Sequence, residues 1–297
     1  MSARGLIKGT HVAHFAMRRI AETQARAEEK TAEQNEFSIE RPRDFLSRFQ
    51  EAHNKDPDFI SQDRVLALTV ANMIAGSDTT AISLRAIFYN LARNPDKLAK
   101  LHAELDEIAG WKTSRGTEQL SWNDVRELPY LSAVINESLR THPAAGLPLE
   151  RIVPTGGLQT DDTVIPAGTN IGCSAWVLHL DEKIWGHKPE CWMPERWIDA
   201  SSAQKSEMKN SLFSFGAGAR TCIGKNISYL EMYKLVPSVL QEFKVSRSQF
   251  FERSNTANSV KIELANPDKE WHLHNAWFVK QSEFFVRLSP RVRQSDS

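Results

Sequence analysis

The cysteine whose neighbours best suit chemistry is Cys222. It lies in the run Phe215-Gly216-Ala217-Gly218-Ala219-Arg220-Thr221-Cys222-Ile223-Gly224, with glycines on both sides and a helical pattern starting just after. Glycine permits positive φ and lets backbone come close to a flat ligand. The adjoining helix N-terminus offers amide N–H groups and positive potential, which favour a sulfur held as thiolate. Arg220 adds a fixed positive charge two residues away, suited to an anionic group on that ligand. A buried structural cysteine in a Gly-rich turn would explain a lone Cys. The full string instead suits a loop that aims a sulfur at a flat cofactor.

Two further segments carry reactive types. Ala75-Gly76-Ser77-Asp78-Thr79-Thr80 places a small residue, an acid and two hydroxyls within an apolar stretch. Gly76 thins a helix wall there, and a Thr hydroxyl bonding back to a carbonyl one turn earlier would open the helix locally. A core helix with back-bonded hydroxyls and a surface Asp accounts for the same residues. Glu137-Ser138-Leu139-Arg140 sets opposite charges at i and i+3 on one helix face, which by itself reads as an exposed ion pair of little energetic weight. His179, His272 and His274 lack metal-ligand spacing to a Cys and read as satisfied structural histidines.

These residues call for a largely helical scaffold. Residues 11–30 read as an amphipathic helix with Val12, Phe15, Ile20 and Ala27 on one side. A polar stretch, 31–40, reads as a surface loop, and Phe45, Leu46 and Phe49 mark a short helix. From the N-cap candidates Ser61 and Asp63 a helical pattern runs to Arg93, where Asn94-Pro95 stops it. About 31 residues at ~1.5 Å each give ~45 Å. Its centre, 65–75, is apolar nearly all round, which predicts a buried helix. A helix over 95–108, a loop over 110–119, a turn capped by Ser121 and a helix over 130–141 follow. From 149 to 174, Gly, Asp and Pro punctuate short β-type runs. Residues 175–220 are irregular and rich in Trp and Pro, and 224–243 are helical. The alternation of Val260, Ile262 and Leu264, then Phe284, Val286 and Leu288, predicts hairpins. The fold class is therefore mainly α with small antiparallel β-sheets.

Composition narrows the function. Lys plus Arg number 37 and Asp plus Glu 37, so the chain lacks the basic excess of a nucleic-acid binder. An apolar content of 41%, with eight Trp in 297 residues, fits a globular protein with a large interior. Three cysteines do not make a disulfide framework, and a reducing compartment is expected. The longest uncharged apolar run, 65–77, is 13 residues, shorter than the roughly 20 of a spanning helix. No transmembrane segment or signal peptide is expected within the chain, which would leave it cytoplasmic as written.

Taken together, these segments resemble the cytochrome P-450 family. The Cys222 string fits the family's haem-binding loop, Phe-x-x-Gly-x-Arg-x-Cys-x-Gly, at each fixed position. By resemblance, Cys222 is the axial iron ligand of haem b through its thiolate. Phe215, Gly216, Gly218 and Gly224 shape the loop, and Arg220 contacts a propionate. Residues 75–80 match the oxygen-activation motif, which implies that Thr79 donates to dioxygen and Asp78 relays protons from solvent. Glu137 and Arg140 match the Glu-x-x-Arg pair, and Arg196, in Pro194-Glu195-Arg196-Trp197, matches the Arg that locks it; these three form a structural triad. Arg151, in Leu149-Glu150-Arg151, resembles the Arg at the second propionate. Residues 144–149, Met73, Ile74 and the 275–278 turn would line a substrate pocket. The sequons at Asn136 and Asn226 fall on helices expected to be buried beside haem, so neither is expected to be modified.

The resemblance spans about residues 9–291, but only the C-terminal part of the family's single catalytic domain. Arg41-Pro42-Arg43-Asp44-Phe45-Leu46 and Trp277-Phe278-Val279 resemble fungal members of secondary metabolism. The implied activity is a monooxygenase on a small apolar organic substrate, with O2, an NADPH–cytochrome reductase, and the cytosolic face of the endoplasmic reticulum membrane. A haem-thiolate isomerase or dehydratase, and an inactive truncated haem-binding or helical interaction protein, are the alternatives.

Overall fold

The computed structural model describes residues 10–32, 44–113, 120–246, 271–282 and 287–290. The chain forms two compact units, Met1–Asp78 and Thr79–Ser297.

The first unit contains α1 (His11–Ala32), α2 (Phe45–Lys55) and the start of α3 (Gln62–Arg93). Asp44 caps α2 by accepting the Ser47 N–H at 2.7 Å. The core joins Ala13, Ala16 and Ile20 of α1 to Val65, Leu66 and Val70 of α3, with Leu46 and Phe49 against them. The buried stripe of α1 differs from the expected one. Ala13, Ala16 and Ile20 face inward at i, i+3 and i+7, whereas Phe15 is 43% exposed with the Arg18 guanidinium over its ring. Two alanines and Ile20 thus take the core face that hydrophobicity alone would assign to the larger Phe. The Ala27 side chain lies outside the described residues.

Helix α3 begins where Ser61 Oγ accepts the Arg64 N–H and ends at Asn94, as its sequence signals predict. Its centre, 65–75, is buried along one stripe only, at Val65, Leu66 and Val70. Apart from the half-buried Met73, residues 71–78 are exposed, with Ile74 at 53%. Over residues 65–78 one stripe of α3 meets the first core and the remaining faces are exposed. An 18-residue window of this helix reaches a mean hydropathy of 1.3. By length and composition alone α3 matches a membrane span, as core helices of soluble proteins also do, because the helix continues past Asp78, where the uncharged run stops.

In the second unit, α4 (Pro95–Thr113) continues through Gly110, past the predicted loop boundary. Next come α5 (Trp122–Val125) and α6 (Pro129–Thr141). The first N–H groups of α6 lack a cap from Leu128 and are met by Glu104 of α4, which accepts from Tyr130 at 2.7 Å and Leu131 at 2.8 Å. Antiparallel strands follow: β1 (Leu149–Ile152) pairs with β4 (Asn170–Cys173), and β2 (Leu158–Gln159) with β3 (Val164–Ile165). The short helices α7 (Ala175–Leu178), α8 (Glu182–Trp185), α9 (Glu195–Asp199) and α10 (Ser202–Ser211) lead to the Cys222 loop and α11 (Lys225–Glu242). The sheets end with β5 (Phe243–Ser246), β6 (His272–Asn275), β7 (Val279–Ser282) and β8 (Arg287–Pro290), paired β5–β8 and β6–β7. Val260, Ile262, Leu264, Phe284 and Val286 lie outside the described residues.

The main core of this unit gathers Ile87 and Leu91 of α3, Leu101 and Leu105 of α4, Leu131, Ile135 and Leu139 of α6, and Met232, Val236 and Leu240 of α11. Each such side chain, fully buried, contributes roughly 1.5–3 kcal/mol. A smaller cluster of Ala133, Trp185, Trp197 and Met208 backs the other side of α6.

Candidate functional site

A 3-10 turn, Phe213–Phe215, leads into the Cys222 loop and a second, Gly218–Arg220, follows within it. Gly216 has φ 67° and ψ −171°, a region open essentially to glycine alone. Gly218 has φ 69°. Gly224 does not share that need, with φ −82°; its missing side chain leaves ordinary van der Waals room, since a Cβ there would lie 3.8 Å from Cys222 Sγ. The Cys222 N–H donates to Phe215 O at 2.9 Å, and the Thr221 N–H to Gly218 O at 3.1 Å. These bonds close the loop with Arg220, Cys222 and Ile223 all exposed. Phe215 turns the other way, its ring 5.3 Å from that of Tyr229 on α11. Arg151 on β1 is exposed, and its Nη2 donates to Ala217 O of the loop at 3.4 Å.

Behind the loop, Glu137 and Arg140 of α6 are fully buried. Arg140 Nε and Nη2 meet the two Glu137 oxygens at 2.9 and 2.7 Å. Glu137 also accepts the Met193 N–H and the Trp197 indole N–H, each at 2.9 Å, with Arg196 Nε at 3.5 Å. Arg140 further donates to His179 O, Pro189 O and Cys191 O. Arg196 donates to Trp185 O, His187 O and Lys188 O. Such a buried network is costly unless every member is satisfied, and here it is tied to the loop directly. The His179 Nδ1–H donates to Arg140 O at 2.8 Å, while its Nε2 accepts the Phe213 N–H at 2.8 Å. Burial, first of all, lowers the His179 pKa to about 4; both contacts suit the neutral ring. Ser214 Oγ adds a bond to Leu139 O at 2.7 Å.

Other expected residues sit as follows. Asp78 is exposed at the end of the first unit, and Thr79, half-buried, opens the second. The helix is unbroken there. Ser83 Oγ donates back to Thr79 O at 3.2 Å, and Thr80 Oγ1 reaches Ser228 Oγ on α11. The 144–149 turn meets the 275–278 turn, with Gly146 N–H on Trp277 O and Val279 N–H on Ala144 O, both at 3.0 Å. A Cβ at Gly146 would collide with the Asn275 side chain. Met73 and Ile74 belong to the first unit. His272 and His274 are exposed on β6 rather than satisfied in the interior. Asn226 is exposed also, against expectation, and Asn136 Oδ1 accepts the Tyr229 hydroxyl.

A cytochrome P-450 family model matches residues 8–273. The chain belongs to the cytochrome P-450 family. Among relatives, it is 41% identical to cytochrome P-450 monooxygenase cicH of Emericella nidulans, over 97% of this chain and 52% of that protein. It is 45% identical to a cytochrome P-450 monooxygenase of Aspergillus terreus, over 82% of this chain and 48% of that one. With cytochrome P-450 monooxygenase mpaDE of Penicillium roqueforti it shares 38% over 88% of this chain and 28% of the other. The chain thus spans about half the length, or less, of the curated relatives it matches. Its fold is that of a cytochrome P-450, mainly α with small antiparallel sheets, and membership implies a haem cofactor.

In this cytochrome P-450, His179 is a satisfied structural histidine as the sequence suggested, though its partners were not foreseen; sequence reasoning missed Thr80 with Ser228, and the indoles of Trp192 and Trp197. Trp192 Nε1 donates to Ser138 Oγ at 3.0 Å. The cluster of Trp in an irregular segment was the available signal, because a Trp beside a buried acid has an N–H to place. No signal in the chain links Thr80 to a residue 148 positions away.

Proposed function

We propose that this chain is the C-terminal part of the single catalytic domain of a haem-thiolate monooxygenase, with Cys222 the axial ligand of haem b. The reaction is R–H + O2 + NADPH + H+ → R–OH + H2O + NADP+ on a small apolar organic substrate, in fungal secondary metabolism. Electrons arrive from an NADPH–cytochrome reductase, and the site of action is the cytosolic face of the endoplasmic reticulum membrane. When bound, thiolate-ligated haem supplies the reductive activation of dioxygen.

The observation that carries this reading is the loop that leaves Cys222 exposed while a backbone bond to Phe215 and the buried Glu137 network fix it from behind. The donor set suits the cofactor. One sulfur faces outward, and two exposed guanidiniums, Arg220 in the loop and Arg151 bonded to it, suit the two carboxylates of a haem edge. Phe215, Gly216, Gly218 and Gly224 hold the loop's shape. Asp78 is exposed to water and has the role of a relay from solvent toward the Thr79 hydroxyl. Glu137, Arg140 and Arg196 position and do no chemistry.

The test is the absorption spectrum of the reduced, CO-bound protein. A red-shifted, thiolate-type Soret band that vanishes in Cys222→Ser supports the proposal. An imidazole-type band, or no haem, leaves a helical interaction protein. NADPH-dependent oxygen uptake with a reductase then separates the monooxygenase from an isomerase or dehydratase.

A further inference from the structure

We propose that the Thr80–Ser228 hydrogen bond is a register pin, a positioning pair that fixes α3 against α11 and so aims Thr79. The proposal rests on the roles given above to Cys222 and Thr79. Thr80 Oγ1 donates to Ser228 Oγ at 3.2 Å, and Thr80 is only 6% exposed. Ser228 stands in the first turn of α11, where its N–H donates to Gly224 O at 3.0 Å, two residues beyond Cys222. A short bonded path therefore joins the helix that bears Thr79 to the residues that follow the sulfur.

Both helices also contribute to the main apolar core, Ile87 and Leu91 from α3 and Met232, Tyr233 and Val236 from α11, together with α4 and α6. Apolar contact is non-directional and allows several settings of one helix on another. A hydroxyl pair is directional and is lost with a small displacement. Sliding α3 by one residue shifts it ~1.5 Å and turns it ~100°, which breaks the bond and sends Thr79 elsewhere. In a coiled coil a single polar contact within the apolar seam sets register at some cost in stability, and the hydroxyl pair is read in the same way. Ser83, buried on the same face, holds the Thr79 carbonyl and keeps the helix regular at that point.

The experiment uses the haem-loaded full chain with Thr80→Val, Ser228→Ala, the double variant, Thr80→Ser and the reference Thr79→Val. Three quantities are read: the urea midpoint, amide hydrogen exchange over residues 79–83 in the haem-free chain, and the infrared C–O stretch of the reduced, CO-bound protein. The expected result is an unchanged or higher urea midpoint in the double variant. Exchange at 79–83 becomes about tenfold faster, the C–O band shifts toward that of Thr79→Val, and Thr80→Ser restores both. Unchanged exchange and C–O stretch in the double variant would overturn the pin. So would effects that follow a lowered urea midpoint and resist rescue by Thr80→Ser, since Thr80 would then be structural only. If Cys222→Ser keeps the cofactor spectrum, the site reading fails instead, while the exchange measurement still decides whether the two helices are pinned.

Discussion

At the scale of single residues, Glu137 concentrates the electrostatics of the site. Its two oxygens receive two guanidiniums, one indole and one backbone N–H with no access to water. Glu137→Gln keeps the shape and removes the charge, which leaves Arg140 buried without its counter-ion. The expected loss is about 3–5 kcal/mol of stability, together with loss of haem retention; urea unfolding and the haem-to-protein absorbance ratio measure both. Wild-type haem content in that variant would count against the supporting role. Much of this network was legible beforehand, because Glu137, Arg140 and Arg196 occur in recognisable short segments. The contributions of Met193 and His179 were not, since a backbone amide carries no mark of its partner and a neutral His looks like any other in the chain.

At the scale of elements, the Cys222 loop depends on two backbone conformations. Gly218→Ala adds a methyl group into open space and meets only the left-handed penalty, about 1–2 kcal/mol. Gly216→Ala adds contact as well as strain, because its Cβ would lie 3.1 Å from Leu149 Cδ1. We expect Gly216→Ala to lower the melting temperature more than Gly218→Ala, and to weaken the thiolate-type band; equal effects would mean that the Leu149 contact yields freely. Helix ends were readable where the signal is local, as at Ser61 and Asn94-Pro95. Extension of α4 through Gly110 was not, because a local propensity cost of about 1 kcal/mol does not by itself end a helix. The exposed centre of α3 was misread for a related reason: hydrophobicity all round a helix says that it needs cover, not which described element provides it.

At the scale of the whole molecule, two buried histidines set the response to acid. Burial lowers the pKa of both His142 and His179 from 6.5 to about 4. His142 donates from Nε2 to Val279 O at 3.0 Å, between Trp176 and Trp271. Below pH 6.5 the unfolded chain takes up protons at these positions before the folded one does. Each histidine's stabilisation is therefore complete above pH 6.5 and is lost as pH falls toward 4, about 3 kcal/mol each. Urea midpoints at pH 7.5, 5.5 and 4.5 should drop steeply, with a shallower drop in His179→Gln. A flat profile would show that both rings open to solvent without cost.

The stretch from His179 to Cys191 has little regular structure, yet six of its carbonyls end on just two side chains, Arg140 and Arg196. Lys188 and Gly186 hold positive φ within it. Surface connections usually absorb insertions and deletions with ease. This one is spooled onto a pair of forks, so adding or removing a single residue would slide every carbonyl off its prong at once. A segment that looks like slack in the chain therefore has the length tolerance of a strand inside a sheet.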